Sequence, residues 1–160
     1  MIIQGVTLKG VTLFDPPPFT WYEAFGTTVA ISTTTYVGST KIYAYSSTFD
    51  VPSYQNAVIQ VNDVEIVNTA QRGHTMAVLA SNGSTVSITN YDTYGSSAAV
   101  TAMATALNAV TAGNRVVLVV YDASALNATA RSAINTGYGS TNSNTWTPSR
   151  ISHIMIGVKA

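Results

Sequence analysis

The run Arg115-Val116-Val117-Leu118-Val119-Val120-Tyr121 decides how this chain is read. Its residues are apolar without alternation and mostly β-branched, so neither face of the strand they form can look at water. It is read as a central strand covered on both sides. Upstream of it, Ser96 or Ser97 caps a helix whose Val100, Met103, Leu107 and Val110 recur at helical spacing, with Gly113 as its stop. Downstream, Asn127 caps a second helix with Leu126, Ala130 and Ile134 on one face, ended by Gly137. Residues 139–148 make a polar loop, and residues 151–158 close the chain as a strand. Further upstream, residues 75–80 and 84–90 form a hairpin about Ser81-Asn82-Gly83, because Asn-Gly accepts the positive φ of a tight turn. Residues 58–67 alternate around a turn at Asn62-Asp63. Hairpins followed by helix, strand, helix and strand predict an α+β fold: a twisted antiparallel or mixed β-sandwich with two short helices.

Residues 1–56 read differently from residues 57–160. Gly5-Val6-Thr7-Leu8 recurs as Gly10-Val11-Thr12-Leu13. Pro16-Pro17-Pro18 cannot enter a ladder or a helix and favours extended chain. Phe19, Trp21, Tyr22 and Phe25 then form a dense aromatic patch. Residues 27–48 are rich in Thr, Ser and Tyr and alternate like one or two strands about Gly38-Ser39. The reading is an extended N-terminal arm with β segments, followed by a domain over 57–160. Such an arm docks on its own domain, on a sister subunit or on another protein, since an extended strand can add to an open sheet edge.

Composition limits the function. Apolar residues make up 46% of the 160, enough for a core, but only 9% are charged, against about 25% in ordinary domains. Seven Lys and Arg balance seven Asp and Glu. Such a chain lacks the cationic footprint that nucleic acid or an acidic membrane surface requires. No stretch approaches the roughly 20 apolar residues of a membrane span. There is no cysteine, and His74 and His153 are the only histidines, so no metal or other cofactor is expected. Nucleophile-elbow, phosphate-loop and zinc-helix motifs are absent. Glu23 and Glu65 are the only glutamates, and Asp92 and Asp122 follow strands, where carboxylates cap turns or touch ligands. The expectation is a protein that is not an enzyme.

The missing charge is replaced by 23 Thr, 16 Ser and 11 Asn. They make an uncharged, hydrogen-bonding surface, suited to a virion, pilus or adhesin component that packs against neighbours. Met1-Ile2-Ile3-Gln4 has neither the basic nor the apolar region of a secretory leader. If the protein works outside a cell, export through assembly and lysis, or through a dedicated machine, is therefore expected.

Several short motifs follow in order. They are Gly73-His74-Thr75-Met76-Ala77-Val78-Leu79, Tyr91-Asp92-Thr93-Tyr94-Gly95, and the central strand running from Gly113 into Asp122. Gly139-Ser140, Arg150 and Ile154-Met155-Ile156-Gly157-Val158-Lys159 come later. Over roughly 57–160 this resembles the interleukin-like EMT inducer domain, also called the PANDER-like or FAM3-type domain. The resemblance implies a non-enzymatic β-sandwich with short flanking helices, found in cytokine-like proteins, in a glycan-holding stem and in bacteriophage tail and virion proteins. It also implies that Asp122 and Arg150 face a sugar, and a carboxylate and a guanidinium together can bind hydroxyl and acetamido groups; the alternative is an Asp122–Arg150 ion pair that pins the loop from Gly139 to Pro148. Tyr121 and Trp146 lie close to that pair in sequence, and either could stack on a sugar's apolar face; Asp92, Tyr94 and Gly95 form the motif turn. The chain departs from the pattern at Ala123, where a second acid is usual, and at Ala160, where the terminal glycine is usual.

The expected function is a structural component of a phage virion, in the tail, tail fibre or capsid decoration, with attachment to host-surface glycan. Its partners would be other virion subunits reached through the arm, and further copies of itself in a homo-oligomer. The alternative is an extracellular carbohydrate-binding or cytokine-like module outside any virion.

Overall fold

The computed structural model describes residues 21–52, 55–145, 147 and 149–160. The tandem repeat, the three prolines and Phe19 lie outside the described residues, as does Trp146.

Among the described residues, nine strands form two sheets. They are β1 (Trp21–Thr27), β2 (Ile31–Val37), β3 (Thr40–Ser46), β4 (Ala57–Val61), β5 (Val64–Thr69), β6 (Gly73–Leu79), β7 (Thr85–Tyr91), β8 (Arg115–Tyr121) and β9 (Ile151–Val158). Helix α1 (Ser97–Ala109) joins β7 to β8, and α2 (Ala128–Tyr138) lies between β8 and β9. One sheet runs β1-β9-β8-β6-β7 and the other β2-β3-β4-β5. Every pair of named strands is antiparallel. The α+β sandwich expected from the sequence is therefore the fold.

The central strand behaves as its composition requires. Val116, Leu118 and Val120 face the helices, among Val100, Met103, Leu107, Ala130 and Ile134. Val117, Val119 and Tyr121 face the second sheet, among Ile42, Ala44, Ile59 and Val67. Three layers result, with the five-stranded sheet in the middle.

Residues 21–46 are not an arm beside this domain. β1 pairs with β9 along its whole length. β2 and β3 are half of the second sheet, and the boundary expected at residue 56 falls between β3 and β4, which are hydrogen-bonded neighbours. The physical reason is burial: without β2 and β3, Val117, Val119, Ile154 and Ile156 would lose the surface that covers them.

The helix caps fall where expected. The Ser96 side chain accepts from the Ala99 amide, and that of Asn127 from the Ala130 amide. The ends differ from expectation. α1 stops at Ala109, because Val110 is already extended (φ −61°, ψ 133°). α2 runs through Gly137 to Tyr138, and Gly139 takes the left-handed position (φ 81°). Gly137 instead lets the helix pass close to Lys159.

Candidate functional site

At one end of the middle sheet six elements converge on a buried polar chain. His74 is the second residue of β6 and His153 lies on β9, with β8 between the two strands. Their rings reach toward one another, with His74 Nε2 2.9 Å from His153 Nδ1. On the far side, His153 Nε2 lies 2.9 Å from Glu23 Oε1 on β1, and Ser140, just after α2, donates its hydroxyl to Glu23 Oε2. At the other end, His74 Nδ1 meets Thr93 Oγ1 at 2.9 Å and Ser124 Oγ at 3.1 Å. Both histidines, Ser124 and Ser140 are fully buried.

The direction of the outermost bond follows from valence. A carboxylate at Glu23 can only accept, so His153 gives it the Nε2 proton. One proton lies between His153 Nδ1 and His74 Nε2, and His74 Nδ1 is hydrogen-bonded to the hydroxyls of Thr93 and Ser124. Burial, and after it the neighbouring His153, hold the His74 imidazole well below its ordinary pKa. Every polar atom in the chain has a partner, the arrangement that makes a buried network stabilising. It is buried, and it ties β1, β9 and β6 together. Its donors form a line instead of converging, and the described residues contain no group of three or more His, Cys, Asp or Glu able to hold a metal.

The motif turn closes over this chain. Thr93 N–H donates to the Tyr91 carbonyl at 2.7 Å, which turns the Thr93 hydroxyl inward to His74. Asp92 turns outward. It accepts from Arg72 Nε at 2.9 Å, from Arg72 Nη2 at 2.7 Å and from the Gly95 amide at 2.9 Å. These bonds, the arginine's first, lower its carboxyl pKa to about 2. The Arg72 guanidinium also lies 5.5 Å above the Tyr94 ring. Gly73 is required beneath the turn: its φ is +97°, and a Cβ there would run into the Tyr91 carbonyl.

Asp122 follows the central strand in a strained conformation. Its φ is +70°, and Ala123 N–H donates across it to the Tyr121 carbonyl at 3.0 Å. That is the rare, positive-φ form of the γ-turn. Its Oδ1 is buried and has no hydrogen-bond partner among the described residues. The side chain borders a shallow open hollow shared with Gln71, Arg72, Asn90 and Asp92.

The sequence expectation joined Asp122 to Arg150, but the structure gives Arg150 other partners. Its Nη1 lies 2.5 Å from Asp50 Oδ1, and its guanidinium sits 5.0 Å above the Phe49 ring. Tyr121 is 7% exposed and packs between the sheets, so its ring face is not open for stacking. Its phenol pKa is raised, chiefly by burial and then by Asp122, with Arg150 opposing. Arg72 is the cation the sequence reading missed. Only the Tyr91–Gly95 turn, folded back beside Gly73, brings it to Asp92.

No helix of the described residues is long and apolar enough to cross a membrane. Comparison with curated proteins returns no match. A family model does match, over residues 72–160. That span runs from Arg72 through the glycine under the motif turn, both buried histidines and the central strand to the last residue. On that match, covering more than half of its length, the chain belongs to the interleukin-like EMT inducer family.

Proposed function

We propose that this chain is a non-enzymatic structural component of a phage virion, in the tail, tail fibre or capsid decoration, and that it contacts host-surface glycan beside Asp122. The observation that carries the glycan contact is the γ-turn at Asp122. A strained non-glycine residue with an unpartnered carboxylate oxygen is held at the mouth of a polar hollow. Strain of this kind persists where the surroundings impose it, and it clusters at ligand contacts. Arg72 and Asp92 supply paired donors and acceptors there, and Gln71 and Asn90 add amides. Arg72 takes the role that the family resemblance gave to Arg150.

The virion assignment rests on composition and on the kinds of protein in which this domain occurs. Little charge and many hydroxyls and amides suit surfaces that pack against neighbours. The test has two arms. Mass spectrometry of gradient-purified particles from a culture producing the chain should find it at stoichiometric copy number. Its presence only in the particle-free medium would favour an extracellular module. On a glycan array, Asp122→Ala should lose the signal of at least one glycan with little change in melting temperature. Signal undiminished for every glycan bound would remove Asp122 from the contact.

A further inference from the structure

The outer face of the second sheet carries a feature that the Asp122 hollow does not explain. Strands alternate, so Tyr43 and Tyr45 of β3 point away from the core while Ile42 and Ala44 point into it. Register then sets two rows across the face. Tyr43 stands opposite Gln60, and Gln60 opposite Glu65; Tyr45 stands opposite Val58, and Val58 opposite Asn68. Tyr43, Tyr45, Asn56, Val58, Gln60, Glu65 and Asn68 line a hollow of about 370 Å³.

A β-bulge makes this face polar. Ile59 pairs with Val67, but the next residue, Gln60, pairs with Glu65. Regular pairing would have set Ile66 opposite Gln60. The bulge skips Ile66, which packs against the inter-sheet core, and brings a carboxylate to the outer face instead. Bulges re-aim side chains in this way beside binding sites. Glu65 and Asn68 thereby share one face, and the side chains link in a line. Asn56 Nδ2 donates to Asn68 Oδ1 at 2.7 Å, and Asn68 Nδ2 to Glu65 Oε1 at 3.3 Å. The Gln60 amide has no partner among the described residues.

We infer that this face is a second binding site, for a neutral oligosaccharide. Tyr43 offers an apolar ring face with a hydroxyl edge, and Tyr45 borders the same hollow two residues along the strand. The amide and carboxylate rows lie one and two strand spacings away, about 4.8 and 9.6 Å. A sugar ring resting on Tyr43 therefore brings its edge hydroxyls over Gln60, and the next sugar of the chain reaches Glu65. Among the described residues that line the hollow there is no cation and one charge, the Glu65 carboxylate, so it is unsuited to sialylated, sulfated or phosphorylated chains. It shares no residue with the Asp122 hollow, and neither reading depends on the other.

The test uses the full chain on a printed array of neutral and acidic oligosaccharides, with the best neutral hit titrated by calorimetry. A decaproline peptide serves as the competing probe for an aromatic groove. The expected result is saturable binding to a neutral glycan, weakened about tenfold by Tyr43→Ala, the loss of one stacking contact. Glu65→Gln, which keeps shape and fold, should also weaken it, and Asp122→Ala should leave it unchanged. Melting curves of each variant separate binding loss from unfolding. Absence of any neutral-glycan signal overturns the inference. So does signal lost only in Asp122→Ala, preference for acidic glycans, or Tyr43-dependent binding of decaproline alone.

Discussion

At the scale of single residues, acid stability follows from His74 and Asp92. His74 is kept neutral in the fold and has a pKa well below 6.5. The unfolded chain therefore takes up a proton near pH 6.5 that the folded chain refuses. Stability from His74 is complete above that pH and falls as pH drops below it, by up to about 1.4 kcal/mol per pH unit. The groups facing His74 in line are His153 and Glu23. Asp92, lowered from 3.8 to about 2, adds a second loss as pH falls from 3.8 through 2. Melting temperature against pH should show both limbs, and His74→Gln should remove the upper one. An identical profile for that variant would show that another group titrates. Glu23→Ala strands the Nε2 proton of His153 and the hydroxyl of Ser140, at about 1–3 kcal/mol for each buried group left unpaired. Urea denaturation of the variant at pH 7 measures it.

At the scale of elements, the central strand and the two helices were legible because each carries its own periodicity. Leu118 is fully buried under the helices, and Leu118→Ala should cost about 2–5 kcal/mol. A smaller loss would mean that the helices close over the gap. Ser96→Ala and Asn127→Ala each remove a side-chain acceptor from a helix start and should cost about 0.5–2 kcal/mol; chemical denaturation resolves changes of that size. The helix ends were not legible. Gly113, Gly137 and Gly139 look alike in sequence. Gly113 and Gly139 both take positive φ while Gly137 stays helical beside Lys159, and packing decides which is which.

At the scale of the whole molecule, the fold depends on residues that read as an appendage. Residues 72–160 expressed alone should fail to fold, because Ala77, Leu79, Val117, Val119, Ile154 and Ile156 would face water in place of β2–β5. A cooperative melt from that fragment would overturn the three-layer account. A chain beginning at residue 28 should be strongly destabilised for a second reason: it leaves β9 with an open edge and His153 without Glu23. The sequence by itself determined the sandwich class, the doubly buried strand, the hairpin turns and the helix starts. Those features are written in local alternation, capping chemistry and backbone freedom. It left residues 21–46 looking like an arm, because polar, Thr-rich strands bury only one face and show little core until a partner sheet is present. The polar chain from Glu23 to Ser124, the exchange of Arg150 for Arg72 beside the Asp122 hollow, and the bulge that turns Glu65 outward were decided only by tertiary structure. Each depends on residues tens of positions apart in sequence, or on one skipped residue in a register, and neither leaves a local pattern to read.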